Sequence, residues 1–373
     1  MAEIRQKGGG KINKTHFERK EETTKNNPTL KGEREMKKIA MVLIVILAFA
    51  ATAYADSIKI GYFVSDLKNG FHQAQSYWAK KYAKEKYGAD VQVFDGKSDV
   101  ATMTANVDQM IAQGMDMATL HIWQGDSAKP GLEEALKKGI VLASYFDKMP
   151  IDIPVVRPGE AEISFQMGKI AAEQWMKAQP YKPVVMVELG WPDNEAVAEG
   201  RTIPFVKGVK SVAPDAVDLG CFDASRGPDV AKKTIQDLVQ AHPDLCIIYS
   251  EAANLTDGTM PGLRAIGRGK MKDGVPLTEI VISVDCPENE LYEVFDPSSS
   301  LKMSMGLPPR ETGMGRIDNL FDIKNGKIKQ LDPANRKPIF IPNSLVGYWS
   351  MKPDEAVKWY NEEFQANAKM PNF

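Results

Sequence analysis

The sequence predicts an α/β protein of two similar lobes, each built on a doubly wound parallel sheet, with three hinge crossings between them. Apolar, β-branched strands alternate with amphipathic helices at short spacing, a pattern typical of parallel βαβ units. Irregular, proline-containing stretches interrupt the alternation at residues 149–160, 306–309 and 333–342. The same alternation resumes after the first interruption, and 373 residues are enough for two separate cores.

The N-terminal segment is predicted to lie outside this fold. Residues 1–35 are polar and rich in Lys and Glu, and we interpret them as an unstructured leader that is not native. Residues 36–55 have the pattern of a secretory signal peptide: a cationic start, the apolar run Ile39–Ala50 and an Ala-Tyr-Ala cleavage site. A membrane anchor is the alternative, but the apolar run is shorter than the roughly 20 residues that span a bilayer. We therefore expect cleavage after Ala55 and a periplasmic protein.

The first lobe begins with the strand Ile58–Val64, which is rich in β-branched and aromatic residues. The polar turn Ser65–Gly70 ends this strand, and a helix follows with apolar residues at helical spacing from Phe71. The later elements alternate in the same way: strands at Asp90–Asp95, Met117–Ile122 and Ile140–Tyr145, and helices at Val100–Ala112 and Ser127–Lys138. Because ligands bind beyond the carboxyl ends of strands in such sheets, Asp66–His72 is predicted to form one lip of a cleft.

The second lobe repeats this organisation. Its predicted helices are Ala161–Ala178, Ala196–Val212, Asp229–Ala241, Thr259–Arg268 and Asn289–Phe295. Its predicted strands are Val184–Leu189, Val217–Phe222, Leu245–Ser250, Ile280–Asp285 and Leu301–Met305. A helix at Arg310–Ile323 follows the second interruption, and the amphipathic helix Pro353–Ala366 is expected to pack on the second lobe rather than bind a partner. We assign residues 56–156 and 307–338 to the N-terminal lobe, and residues 157–306 and 339–373 to the C-terminal lobe.

Composition and motifs exclude several classes of function. The net charge is −2, which gives no reason to expect a nucleic-acid surface. The three cysteines are far apart, so a disulfide scaffold is not expected, and Cys246 in an apolar strand is predicted to be buried. The sequence contains no GxSxG, HExxH or GxxxxGK[ST] motif and no histidine–cysteine cluster at metal-ligand spacing. A protein that is not an enzyme and needs no metal or cofactor is therefore favoured.

Four segments then carry a resemblance to a known family. They are SIKIGYFVSDLKNGFHQAQSYWAKKYA, DVATMTANVDQMIAQGMDMATLHI, DLVQAHPDLCIIYSEAANLTDG and IVISVDCPEN, in that order after the signal peptide. Together they resemble the type I periplasmic binding proteins of ABC transporters, in the ribose-binding-like, sugar-binding branch. The resemblance implies that two lobes close over a ligand by hinge motion, and that membrane permease subunits read the closed form.

The resemblance also implies candidate ligand contacts on the first lobe. Asn69, Phe71 and His72 match the family's lip, although Phe71 can equally be a core residue and His72 a solvated one. Trp123, just past the third strand, suits either the cleft or packing between the lobes. Tyr145, Phe146 and Asp147 end the fourth strand, where relatives often carry an Asp-Arg pair whose arginine is missing here.

On the second lobe, the implied contacts follow the strand ends. Trp191 comes after the Val184–Leu189 strand, and Arg201 begins a segment that resembles the family's basic site. Glu251 stands where relatives commonly have Asn, with Asn254 as the candidate if that loop is shifted. Asp285 ends an otherwise apolar strand, where a carboxylate would have no use in a core.

These residues leave two ligand classes open. Aromatic rings with carboxylates suit a sugar or polyol, and they also suit a cationic or amine-bearing ligand. The leading hypothesis is a monomeric solute receptor that delivers a carbohydrate-like ligand to an ABC permease in the inner membrane. The same lobes could instead serve a chemoreceptor or a histidine kinase, and a periplasmic enzyme remains a minor alternative. A repressor core is disfavoured because a signal peptide occupies the place of a DNA-binding motif.

Overall fold

Two six-stranded sheets organise the computed structural model, which describes residues 57–373. The signal peptide predicted at residues 36–55 lies outside the described residues. The first sheet contains, in spatial order, β13 (Ile339–Pro342), β5 (Val155–Gly159), β4 (Val141–Tyr145), β3 (Met117–Leu120), β1 (Lys59–Val64) and β2 (Asp90–Asp95). Every neighbouring pair in this sheet is parallel.

The second sheet has the same build. Its strands, in spatial order, are β14 (Ser344–Gly347), β12 (Leu301–Gly306), β11 (Ile280–Asp285), β8 (Ile247–Ser250), β6 (Val185–Gly190) and β7 (Val217–Asp223). Only β14 runs antiparallel to its neighbour. A short hairpin, β9 (Met271–Lys272) with β10 (Val275–Pro276), lies outside both sheets.

Helices alternate with these strands along the chain. They are α1 (Gly70–Tyr87), α2 (Val100–Ala112), α3 (Lys129–Lys137), α4 (Glu160–Ala178), α5 (Glu195–Val197), α6 (Ile203–Val212), α7 (Pro228–Ala241), α8 (Ala253–Ala265), α9 (Glu288–Phe295), α10 (Pro309–Lys324) and α11 (Pro353–Phe364). The predicted fold class, two parallel-dominated α/β lobes, is thereby confirmed. No helix within residues 57–373 is both long and apolar enough to cross a membrane.

Two of the proline-containing interruptions hold strands that the sequence analysis missed. β5 lies in the first interruption and β13 in the third, and they pair with each other at the end of the first sheet. Pro158 fits into β5 because the pairing with β4 ends at Val156, so only the β13 side still uses ladder hydrogen bonds there. β5 extends across the lobe boundary that we placed after residue 156. β13 lies entirely in residues 339–373, which we assigned to the C-terminal lobe, although it pairs in the first sheet.

Two helices of the second lobe differ from the prediction. The helix predicted from Thr259 begins at Ala253, because a long buried face holds it together despite Pro261 in its interior. The helix predicted over residues 196–212 is split by a π-helical turn at Ala198–Thr202, which lies between α5 and α6. This turn is tightly packed, since a Cβ atom added at Gly200 would lie 2.6 Å from Oε2 of Glu160.

Apolar residues cover both faces of each sheet. In the second lobe, one face packs against α4 and α6 through Met167 and Phe205, and Cys246 is fully buried, as predicted. The other face packs against α7 and α8, and Ala356 and Tyr360 of α11 join that cluster. The C-terminal helix therefore packs on the second lobe, as its amphipathic pattern predicts.

Candidate ligand-binding cleft

Aromatic side chains line the carboxyl edge of the first sheet. His121 follows β3, while Tyr145 and Phe146 end β4, and the His121 and Tyr145 rings meet edge to face at 5.2 Å. Phe71, at the start of α1, is buried in the same apolar cluster as Tyr145 and Tyr249 of the second lobe. Phe71 thus belongs to an apolar cluster that includes residues of both lobes. We call this aromatic surface of the first lobe the aromatic wall.

His72 supports this wall from inside the lobe. Its Nδ1 accepts a hydrogen bond from Gln75 over 2.6 Å, which leaves Nε2 to donate to Ser65 Oγ over 2.8 Å. Burial and the nearby Arg316 charge lower the pKa of His72 to about 3, so the ring is neutral. Both ring nitrogens are used within the first lobe, which explains why this predicted contact is not directed to a ligand.

A fully buried arginine lies behind the aromatic wall. The Arg316 guanidinium is 3.9 Å from the Tyr62 ring centroid and 4.4 Å from that of Tyr145. It donates to Gln75 Oε1 over 2.9 Å and to Thr119 Oγ1 over 3.0 Å, and also to two backbone carbonyls. The Arg316 charge therefore holds the Tyr145 ring by a cation–π contact, while all of its hydrogen bonds go to neutral oxygens.

The opposite wall belongs to the second lobe and is polar. The π-helical turn places the buried Arg201 so that Nε and Nη2 donate to Oε1 of Glu160, over 3.0 and 2.6 Å. Its Nη1 donates to the backbone carbonyl of Glu251. The Glu251 carboxylate accepts from the Thr202 hydroxyl and, over 3.4 Å, from the backbone N–H of Trp191. Burial raises the pKa of Glu251 to about 7, although Thr202 and Arg201 oppose the shift. We call this surface the acidic wall.

Asp285 stands in a strained backbone segment at the end of β11. Its φ is +87° and that of Cys286 is +51°, a conformation that non-glycine residues rarely adopt. The Asp285 carboxylate accepts one hydrogen bond, from the Ala253 backbone N–H over 3.3 Å. Burial raises its pKa, while Arg201 and the Ala253 bond oppose the shift. Such strain persists where surrounding structure enforces it, and it is concentrated at functional sites.

The two walls touch across the cleft. The Phe146 ring lies between two guanidinium groups, 5.6 Å from Arg157 and 5.7 Å from Arg201. Arg157 of β5 donates to Glu199 over 3.1 Å and to the Ala196 carbonyl over 2.6 Å. Strand-end residues of the two sheets therefore meet at one place between the lobes, which we call the crevice.

The structure brings together five of the predicted site residues: Phe71, Tyr145, Arg201, Glu251 and Asp285. Asp147 lies beside them, with its Oδ2 buried and without a hydrogen-bond partner among the described residues, and burial raises its pKa to about 7. The predicted set thus divides into residues at the crevice and residues elsewhere.

The remaining predicted residues lie elsewhere. Asn69 is exposed and caps α1 by accepting from the Phe71 N–H over 2.8 Å, and Asn254 is exposed on the first turn of α8. Trp123 packs against the outer apolar cluster of the first lobe, and the Trp191 ring packs against that of the second lobe. Each of these tryptophans packs against its own lobe. The sequence pattern does not distinguish a tryptophan that packs in this way from one that lines a cleft.

Sequence reasoning missed three residues of the crevice: Arg157, Glu160 and Thr202. Phe146 was named with Tyr145 and Asp147 at the end of the fourth strand. Arg157 lies within an interruption that was interpreted as irregular, and Glu160 pairs with an arginine 41 positions later. The contacts of Arg157 and Glu160 join residues that are far apart in the sequence, so no local pattern predicts them. Within residues 57–373, no group of three or more histidine, cysteine or acidic side chains is arranged to hold a metal ion.

Residues 60–328 match the family model described as a periplasmic binding protein domain. The chain belongs to this family. This binding protein is 21% identical to the ribose import binding protein of Bacillus subtilis, covering 78% of the chain and 95% of that relative. It is 22% identical to a putative rhizopine-binding protein of Rhizobium meliloti, covering 83% and 96%.

Solved structures share the fold of the binding protein. The arabinose-binding component of an ABC transporter from Shewanella sp. ANA-3 superposes with a TM-score of 0.64 at 18% identity, covering 82% of this chain and 96% of that one. A Caulobacter myo-inositol binding protein gives a TM-score of 0.63 at 16% identity, covering 82% and 97%. At these identities the likeness concerns the architecture of two lobes around a cleft.

Proposed function

We propose that this binding protein is a periplasmic receptor that holds a small polar solute, a sugar or polyol, between its lobes and delivers it to an ABC permease. The observation that carries the proposal is the crevice itself, in which the aromatic wall faces the buried side chains of Arg201 and Glu251 and the partly buried Asp285. The names of the relatives support it, since they describe binders of ribose, arabinose and myo-inositol.

The proposed mechanism is closure coupled to binding. Rings such as Phe71 and Tyr145 would cover the apolar face of a sugar, while the acidic wall would accept hydrogen bonds from its hydroxyls. A ligand that contacts both walls stabilises the closed form by the difference between its affinities for the two conformations. Analogues without the matching hydroxyls would leave buried polar groups unpaired and be rejected.

The compartment, the partner and the absence of catalysis belong to the same proposal. A signal peptide at residues 36–55 would export the chain to the periplasm, where a monomer would meet the permease. The side chains of the crevice would serve only to bind the ligand, and the receptor would release it unchanged. Recovery of intact ligand after prolonged incubation is the expected result.

A thermal-shift screen of the purified protein tests the proposal. The panel contains pentoses, hexoses, cyclitols, nucleosides and amino acids, because a bound ligand raises the melting temperature by mass action. We expect a stabilising shift from at least one sugar or polyol, followed by saturable binding in calorimetry. Stabilisation by amino acids or nucleosides alone, or by no compound at all, would contradict the proposal.

A further inference from the structure

We infer that the ligand of this cleft carries a protonated amine in addition to its hydroxyl groups. This inference rests on the proposed function and makes its ligand class narrower. It follows from how the charged groups of the crevice are paired. It does not rest on the family, since the relatives named above include binders of neutral sugars.

Both arginines at the crevice are already neutralised by the protein. Arg201 directs two nitrogens to one oxygen of Glu160, over 3.0 and 2.6 Å, and both side chains are buried. Arg157 is paired with Glu199 over 3.1 Å. Each guanidinium therefore has its own carboxylate, and neither is available to balance a further acid.

Two carboxylates of the acidic wall accept no hydrogen bond from a cation among the described residues, although Arg201 lies near both. The Glu251 carboxylate is fully buried and is held by a hydroxyl and a backbone N–H, while Arg201 donates to its backbone carbonyl instead. Asp285 is held by a single backbone N–H at 3.3 Å. A buried carboxylate that meets only neutral donors is strongly disfavoured in its charged form. Hydroxyls of a neutral ligand would add donors without adding the missing charge.

Arg316 is a buried cation near the crevice that has no carboxylate partner within residues 57–373. Arg316 lies behind the Tyr145 ring, and its donors go to neutral oxygens of the first lobe. Two more acids add to the negative groups. Glu188 is fully buried, and within the described residues neither of its carboxyl oxygens has a hydrogen-bond partner. Asp147 Oδ2 has no partner there either. On the second-lobe side of the crevice, the acids Glu160, Glu251 and Asp285 thus outnumber the cation Arg201.

An ammonium group supplies what the acidic wall lacks. Charge-assisted hydrogen bonds from a cation to Asp285 and Glu251 are shorter and stronger than those from a hydroxyl. The remaining hydroxyls of such a ligand would contact the same wall, and its apolar face would lie against Phe71 and Tyr145. The chemical class is therefore an amino sugar or an amino-polyol.

Matched ligands separate this inference from the proposed function. Calorimetry would compare aminohexoses, aminopentoses and aminocyclitols with their neutral parents and with their N-acetyl derivatives, all at one pH and salt concentration. We expect an amine to bind at least about tenfold tighter than its parent, as a gain of one charge-assisted pair would give. The N-acetyl derivative should bind no better than the parent, because acetylation removes the charge.

Variants test whether the acidic wall causes the preference. Asp285→Asn should reduce the difference between amine and parent to about threefold or less, because the amide keeps the shape and loses the charge. Asn254→Asp, on the exposed first turn of α8, is a matched control that changes charge near the cleft and should leave the ratio unchanged.

The outcomes are distinguishable. Tight binding of a neutral sugar with no preference for the amine, or an unchanged ratio in Asp285→Asn, would overturn the inference and leave the proposed receptor function standing. Failure of every sugar, polyol and amine to bind would overturn both.

Discussion

Arg157 of the first sheet donates a hydrogen bond to Glu199 of the second lobe over 3.1 Å, so a buried guanidinium bridges the two walls of the cleft. Its second contact, 2.6 Å to the Ala196 carbonyl, also crosses to the second lobe. Lys148 adds a weaker bridge, 3.7 Å from both Glu195 and Glu199. We expect these ion pairs to be lost when the lobes separate, and therefore to stabilise the closed form.

Removing the Arg157 bridge is expected to weaken ligand binding without changing ligand specificity. Arg157→Met keeps the apolar stem but loses two interlobe hydrogen bonds, and we expect affinity to fall about tenfold, mostly through faster dissociation. Stopped-flow fluorescence measures both rate constants. Lys148→Met is the matched control, because its pairs are longer and more exposed, and it should change affinity less than about threefold. Equal affinities in wild type and Arg157→Met would show that the bridge does not contribute to closure.

Asp285 is expected to be a direct ligand contact. Replacing it with alanine should weaken binding by about 2 kcal/mol or more, because the ligand donor would be left unpaired in a buried site. Calorimetry measures the loss, and circular dichroism checks that the fold is kept. Asn254→Ala, an exposed change on the first turn of α8, should leave affinity unchanged. Undiminished affinity in Asp285→Ala would remove this residue from the site.

Much of the fold was predictable because its signals are local. Helix α2 and strands β2 and β11 begin and end at the predicted residues, since each has a clear apolar period and a polar boundary. β5 and β13 were not predictable in this way. Their prolines indicate irregular chain, and only the partner strand on one side makes those residues part of a sheet.

In the candidate site, the clearest sequence signal is a polar residue that ends a run of apolar ones. Asp285 ends such a strand, and the structure places it in a strained backbone segment, while its role in binding stays a prediction. The tryptophans Trp123 and Trp191 gave a signal that packing on their own lobes equally explains. The pairing of Arg157 with Glu199 depends on how the lobes meet, which no local pattern contains.

Gly190 is expected to make room for the Glu251 carboxylate. A Cβ atom added at Gly190 would lie 1.7 Å from Oε2 of Glu251, so Gly190→Ala must displace either the carboxylate or the strand. We expect a loss of about 1–3 kcal/mol in the free energy of unfolding, as overpacked cores show, together with weaker ligand binding. Denaturant titration and calorimetry measure the two effects.

The cause of the Gly190 effect can be isolated with a second substitution. In a Glu251→Ala background the clashing atoms are gone, and the same Gly190→Ala change should cost much less stability, so the two effects should be non-additive. Gly70→Ala is a control at a glycine with no atom within 4 Å of its added Cβ, and it should be nearly neutral. Additive effects at Gly190 and Glu251 would contradict the proposed steric relation.

Glu290 is expected to make the fold less stable as the pH rises. Its buried carboxyl contacts the hydroxyls of Ser283 at 2.6 Å and Ser304 at 2.8 Å, and burial raises its pKa from 4.5 to about 8. Between these values the folded state retains a proton that the unfolded state releases. The native form therefore binds more protons, and linkage requires stability to fall with increasing pH across this window.

Glu290→Gln should remove that dependence, because the amide resembles the protonated carboxyl and does not titrate. The free energy of unfolding of the variant minus that of wild type should therefore increase from pH 5.5 to pH 8. The increase should be at most about 3 kcal/mol, because each pH unit in the window contributes about 1.4 kcal/mol for one proton. Denaturant titrations of both proteins at the two pH values measure the difference. Glu133→Gln on the exposed face of α3 is the control and should change stability little at either pH. A difference between Glu290→Gln and wild type that stays constant with pH would mean that Glu290 is not protonated in the fold near neutral pH.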